Sequence, residues 1–406
     1  MASLFGAEEE ENVLDAVAQE VDDATPAAPV EVTPRSNPDF SGHEDVEKSL
    51  LQDYLSGRLP HALVLTGPPG IGKATLAFRL ARFLLSQAEG QSSGLFGDVA
   101  PDASRPEFES GAFAPPTSLY LTPEHPVFRR VASAGHMDFI TVEREIDEKK
   151  GRLKTEISVE AVRRIHPFLR MTAAEGGWRV VIVDSAEYLS TSSQNALLKI
   201  LEEPPKKTVL ILTTSQPGSF LPTIRSRCRM IHMEPLSEKT IGSLLDKMAP
   251  GLAMDEKTIL CRLAQGSIGK ALQFYQDDGV KLYRELLGVV STMPDLDMVK
   301  VHELAEKLGK YGAEQSFSTA AEIMTGWCER QARAVVRGQR LLDVLPGDAE
   351  VFQKIDSAYP HGHFFRAWEK ISQLVLQTEI YNLDKKQAII GAFLALQRPD
   401  YQGLNV

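Results

Sequence analysis

The sequence predicts an α/β nucleotide-binding domain of the P-loop type followed by a wholly helical half. Three observations carry this reading. Five apolar runs of strand length fall between Ala62 and Met233, with helical periodicity between most of them. A glycine-rich segment, Gly67-Pro-Pro-Gly-Ile-Gly-Lys73, follows the first run and opens an amphipathic stretch. After Pro235 the strand-like runs stop, and only helical apolar spacing remains.

In chain order, residues 1–36 come first, with nine acids against a single base, Arg35, and no aromatic after Phe5. Such a segment buries too little apolar area to offset its ordering entropy, so disorder is expected. It reads as a solvated tail, or as a partner-binding peptide around Val13, Leu14 and Val17. The α/β domain is expected over 37–234. Its strands are Ala62–Leu65, Phe139–Val142, Val180–Val183, Val209–Leu212 and Met230–Met233. Near-continuous apolar runs of this kind suit a parallel sheet covered by helices on both faces. Leu76, Leu80 and Leu84 recur at i+4 with Ala77 and Ala81 beside them, the stripe of a core-facing helix. Residues 86–130 are rich in Gly, Ser and Pro without a clean period, and a surface loop insertion is expected there. A short helical unit over 235–279 and a longer helical block over 280–396 follow, then a tail over 397–406. The apolar stripes of the long block (Leu282, Leu286, Leu287; Phe364, Trp368, Ile371, Val375) read as bundle core.

Composition bounds the function. A chain of 406 residues supports two to four domains, and 43% hydrophobic with 24% charged residues is ordinary for a soluble protein. The acidic first 36 residues hold most of the net charge of −11, so the body is nearly balanced and shows no basic patch. Cys228, Cys261 and Cys328 are odd in number and widely spaced, without a C-x-x-C pair. Neither a disulfide framework nor a zinc site is expected. No run of 18 apolar residues and no secretory layout occurs, so a cytoplasmic protein with no membrane contact is expected.

The chemistry concentrates in a few segments. Gly67, Pro68, Gly70, Gly72, Lys73, Ala74 and Thr75 form a phosphate-binding loop that fits G-x-x-x-x-G-K-[ST] except at the last place. Its glycines let backbone N–H groups face phosphate oxygens, and Lys73 brings a cation to them. Ala74 lacks the hydroxyl that would reach Mg²⁺, and Thr75 points about 100° away around the helix. Asp184, at the end of the Arg179–Val183 run, stands where such a site holds magnesium, but the next residue is Ser185 and offers no base. Thr213 and Thr214 end the fourth run at the sheet edge where ligands bind in such folds, and their hydroxyls either meet a ligand or are satisfied locally. Asn195–Pro205 reads as an amphipathic helix stopped by two prolines. In Ser226-Arg227-Cys228-Arg229, the arginines read either as a paired or solvated rim, or as a phosphate-reading group offered to a neighbouring subunit.

Together these segments resemble the AAA+ clamp-loader family of bacterial DNA replication. Asn195-Ala-Leu-Leu-Lys-Ile-Leu-Glu-Glu-Pro-Pro205 is similar to that family's NALLKxLEEPP segment, and Ser226-Arg227-Cys228 to its SRC motif. Gly67–Thr75 and Asp184–Leu189 occupy the Walker A and Walker B places, and Thr213-Thr214 the sensor 1 place. Asn37–His43 resembles the start of the nucleotide domain, where adenine lies. The likeness is specific from Asn37 to Met233; beyond, only Asn382–Gln387 agrees.

The resemblance implies an AAA+ domain with a small helical lid at 235–279 and a C-terminal helical collar at 280–396. It implies a place in the DNA polymerase III holoenzyme, in a hetero-pentamer with tau/gamma and delta subunits that loads the sliding clamp on primed DNA. Within it, Arg227 would serve in trans as an arginine finger for a neighbour's ATP. Departures at Ala74, Ser185 and Gly269 (within Gly266-Ser-Ile-Gly-Lys270, where the motor keeps a sensor 2 Arg) argue against ATP turnover by this chain. ATP binding, with Mg²⁺ only alongside it, remains compatible. The family's four-cysteine zinc module would fall within 86–135, which contains no Cys. Two other readings stay open: an active motor subunit, and an AAA+ loader of repair or recombination.

Overall fold

The computed structural model of the chain describes residues 33–87, 115–147, 152–338, 343–360 and 362–398. Most of the expected disordered segment, and residues 88–114 of the expected insertion, lie outside these.

The α/β part runs α1 (Glu44–Leu55), β1 (Ala62–Thr66), α2 (Lys73–Ser86), α3 (Pro126–Ala132), β2 (Phe139–Val142), a small antiparallel pair β3 (Ile146–Asp147) and β4 (Arg152–Leu153), α4 (Val159–Arg163), α5 (Ile165–Arg170), β5 (Arg179–Val183), α6 (Thr191–Glu202), β6 (Thr208–Thr214), α7 (Pro222–Arg225) and β7 (Arg229–His232). Five strands form one parallel sheet in the order β2-β5-β6-β1-β7. In the central strands β1, β5 and β6 the period-two alternation sends successive side chains into two buried faces. Leu63, Leu65, Val180, Ile182, Val209 and Ile211 face the α2 side. Ala62, Val64, Val181, Val183, Leu210 and Leu212 face α4 and α6. All five strands predicted from the sequence are present.

Two expected boundaries differ. Arg35, assigned to the tail, is engaged: its guanidinium donates to Thr141 Oγ1 (2.8 Å) and lies over the Phe78 ring. Its carbonyl, with that of Asn37, accepts from Arg82, a 2% exposed cation whose pKa burial lowers to about 10. A buried guanidinium needs such acceptors, and the 33–37 segment supplies them. The insertion also ends earlier than 130. Leu119 is fully buried and its N–H donates to Glu47, which pairs with Arg79 at 2.9 Å. Helix α3 then starts at Pro126, capped by His125.

From α8 (Glu238–Met248) onward the described elements are helices: α9 (Met254–Leu263), α10 (Ile268–Gln276), α11 (Gly279–Val290), α12 (Met298–Leu308), α13 (Glu314–Arg337), α14 (Asp348–Ala358), α15 (His363–Tyr381) and α16 (Lys385–Gln397). Their apolar faces form one cluster from Leu236 to Leu396, with Trp327, Phe352 and Phe393 among its largest buried side chains. Among the described residues, no helix is long and apolar enough to cross a membrane.

Candidate functional site

The phosphate-loop residues, Asp184 and the threonines meet because β1, β6 and β5 are neighbours and end on the same edge. The loop leaves β1 through Gly67 and enters α2 at Gly72. At Gly67 φ is +146°, and a Cβ there would lie 2.3 Å from the Met233 carbonyl oxygen, so only glycine fits. Lys73 is 8% exposed, and its Nζ donates to Gly67 O (2.8 Å) and Pro68 O (2.7 Å). Burial lowers its pKa, against the opposing pull of Glu187 and Asp184. The ammonium is thus satisfied by its own loop.

Across the edge, Thr213 Oγ1 donates to Asp184 Oδ1 (2.5 Å) and accepts from the Ser185 N–H (2.9 Å). Ser185 itself adopts a left-handed backbone (φ 54°). Thr214 is fully buried and lines the cavity, but its hydroxyl accepts from Gln216 N (3.0 Å). Of the two threonines, Thr213 therefore touches the acid. Glu187 Oε1 accepts from Ser215 Oγ (2.7 Å), while its Oε2 is buried without a partner. Ala74 and Thr75 also line the cavity, with Thr75 the nearest hydroxyl to the loop lysine in sequence.

A cavity of about 370 Å³ joins these groups to the helical part. Asn37, Asp39, Phe40 and Ser41 line one wall, and Leu236, Leu244, Met248, Ile268 and Leu272 give it an apolar end. That end suits an aromatic base. The polar end does not suit magnesium-dependent hydrolysis. Ala74 has no hydroxyl to reach the metal, and Ser185 is no base. No hydrolytic step follows from this donor set.

The part of α10 in this cavity was not evident in the sequence. Ser267 caps α10, and the next residues press on the loop: Gly269 N donates to Gly70 O at 3.0 Å. A Cβ on Gly269 would lie 2.9 Å from Gly70 Cα, and one on Gly70 (φ +74°) would lie 2.4 Å from Ser267 Oγ. The two backbones touch because both residues are glycine. Gly269 in Gly266-Ser-Ile-Gly was the signal, legible as a missing arginine but not as a contact.

Arg227 lies apart from that cavity. Ile224 and Cys228 are buried one helical turn apart, and burial raises the Cys228 thiol to about 11. This anchors the turn after α7 and leaves Ser226 and Arg227 exposed. Arg227 Nη1 donates to Thr223 O (3.1 Å), and its Nη2 lies 3.1 Å from Glu202 Oε1 at the end of α6. The side chain is 37% exposed. Among the described residues, no cluster of three His, Cys, Asp or Glu is arranged to hold a metal.

Residues 122–237 match the family model described as DNA polymerase III, delta subunit. The chain is 33% identical over 234 residues to DNA polymerase III subunit delta' of Escherichia coli, covering 58% of this chain and 60% of that protein. It is 25% identical over 339 residues to DNA polymerase III subunit gamma/tau of Mycobacterium tuberculosis, covering 81% of this chain and 51% of that one. The matched region therefore spans between half and two thirds of these relatives' lengths. A solved DNA polymerase III gamma subunit-related protein from Thermotoga maritima superposes over 87% of this chain and all of its own, with 14% identity and a TM-score of 0.36. The family model and the delta' match thus make part of this chain, including residues 122–237, similar to DNA polymerase III clamp-loader subunits.

Proposed function

We propose that this chain is a clamp-loader subunit that braces the complex and offers Arg227 in trans to ATP held by a neighbouring tau/gamma subunit. A delta subunit, the sliding clamp and primed DNA would be engaged through the same assembly. The observation that carries this reading is the contrast between two places on one sheet. The chain's own phosphate site lacks a magnesium hydroxyl at Ala74 and a base at Ser185. The turn after α7, by contrast, is anchored by buried Ile224 and Cys228 and presents an exposed guanidinium. An arginine delivered to the γ-phosphate from outside typically supplies about 10³–10⁵ in rate. Its planar fork suits phosphate oxygens in a way that lysine does not. The 370 Å³ cavity takes a nucleotide base at its apolar end without turnover.

The motor reading has one observation on its side, the greater share of this chain aligned with gamma/tau than with delta'. Ala74, Ser185 and Gly269 weigh against it, and their losses fall in three separate segments. The test is a loader reconstituted with Arg227→Ala. Assembly should persist while the clamp- and DNA-stimulated ATPase falls, and Arg227→Lys should recover little. Normal loading by an assembled Arg227→Ala complex would refute the proposal.

A further inference from the structure

We infer that Glu202 is the positioning residue for Arg227, setting the guanidinium in place before a phosphate meets it. The inference rests on the trans reading above and adds the element that aims the arginine.

Helix α6 grips the SRC turn at both of its own ends. Near its start, Gln194 is 5% exposed; its Oε1 accepts from Leu221 N (2.8 Å) and its Nε2 donates to Ser219 O (3.1 Å), which fixes the entry to α7. Eight residues on, about two turns along and close to the same face, Glu202 Oε1 meets Arg227 Nη2 at 3.1 Å. Between these points Ile224 and Cys228 are sunk into the core under α6. The guanidinium is thereby held on two sides, by Glu202 at Nη2 and by Thr223 O and Ser226 Oγ at Nη1 (3.1 and 3.4 Å). Nη1 has two acceptors and Nη2 one, which leaves one Nη2 N–H and the Nε–H for phosphate oxygens.

An exposed ion pair contributes little to folding, since both ends are solvated and long side chains lose entropy on pairing. Glu202 and Arg227 are 53% and 37% exposed, so their pairing is a weak account of stability. It is a better account of orientation. A free arginine stem samples many rotamers, and a catalytic contact made from one geometry loses rate in proportion to that freedom. Sequence position gives no hint of the pair, because the two residues come from different motifs and are joined only by the fold.

The experiment uses the complete loader with Glu202→Ala, Glu202→Gln, Arg227→Ala and the Glu202→Ala/Arg227→Ala double variant. Glu202→Ala should lower the maximal clamp- and DNA-stimulated ATPase about tenfold, as a modest misplacement of a catalytic group does, with KM for ATP and the urea midpoint unchanged. Glu202→Gln, which keeps an acceptor of the same shape, should retain most of the rate. In the Arg227→Ala background, Glu202→Ala should cost nothing further, because the two act as one unit. A wild-type rate for Glu202→Ala beside a slow Arg227→Ala would overturn the positioning role alone. Full additivity in the double variant would also overturn it. A wild-type rate for Arg227→Ala would remove the trans reading and this inference with it.

Discussion

Replacing Gly269 with alanine tests whether α10 is fixed to the phosphate loop by backbone contact. The added Cβ would lie 2.9 Å from Gly70 Cα and 3.5 Å from its carbonyl oxygen. Carbon–carbon contacts rest at about 3.5–4.0 Å, so the shortfall at Cα is roughly 0.6–1.1 Å. No rotamer can relieve it, because the opposing atom is backbone. The strain must be met by moving α10 off the loop, which breaks the 3.0 Å bond from Gly269 N to Gly70 O. Overpacking costs about 1–3 kcal/mol and the lost bond about 1 kcal/mol. Alanine returns at most about 1 kcal/mol in helix propensity, and less in a first turn. The balance is a loss of about 1–3 kcal/mol, an exchange-rate increase of roughly 5- to 150-fold for amides that depend on the contact. Gly269 has no left-handed backbone, so alanine probes the contact and not its conformation. Hydrogen exchange followed by mass spectrometry should show faster exchange at both 67–73 and 266–272, with a lowered urea midpoint. Unchanged exchange at 67–73, with an equal or higher midpoint, would refute the latch.

Restoring the loop hydroxyl with Ala74→Thr should not create an ATPase, because Ser185 still supplies no base and Asp184 stays bonded to Thr213; steady-state phosphate release near 1 s⁻¹, the low end of ordinary enzymes, would contradict this. Burial raises Cys228 to about 11 and Cys328 to about 12, so both thiols should react slowly with alkylating reagents at pH 8 until the chain is unfolded. The same shifts set a sign. Above about pH 9 the unfolded chain releases these thiol protons and the folded chain keeps them, so stability falls by about 1.4 kcal/mol per pH unit per thiol until the folded values are reached. Cys328→Ala should flatten that slope between pH 9 and 11 by one proton's worth in urea titrations, and an identical slope would show that Cys328 is not held protonated.

The central strands β1, β5 and β6 were legible because each is buried on both faces, which leaves an uninterrupted apolar run such as Val180–Val183 with no competing helical period. The phosphate loop was legible because glycine spacing, a lysine and a following amphipathic helix occur together. What could not be read was contact at long range. The β3–β4 pair is two residues per strand, too short for any period. Thr213 and Thr214 are adjacent, and only the register of β6 against β5 decides which hydroxyl reaches Asp184. Arg35 sits in an acidic, turn-rich composition that predicts disorder, yet the buried guanidinium of Arg82 needs its carbonyl. The Glu202–Arg227 pair joins the ends of two motifs that sequence spacing treats as separate.

The glycines of the phosphate loop acquire a second meaning in this fold. In a nucleotide site their lack of a side chain lets the loop approach phosphate. Here the same property lets the loop approach protein: Gly67 lies under the Met233 carbonyl, Gly70 lies against Gly269, and Gly42, ahead of α1, lies under Leu236. Those partners belong to the segment leaving β7 and to the lid, so each contact ties the sheet to the helical part. A side chain at Gly67 or Gly70 would meet backbone and push the two apart. Lys73 closes the arrangement, since its ammonium bonds to Gly67 O and Pro68 O and helps hold the loop's shape. The loop thus joins the sheet to the helical part through backbone contacts. Under the proposed bracing role, a helical part fixed to the loop by backbone contact would not move with the nucleotide cycle of a neighbouring subunit. On that proposal, the missing hydroxyl at Ala74, the missing base at Ser185 and the close-packed loop glycines serve one physical role.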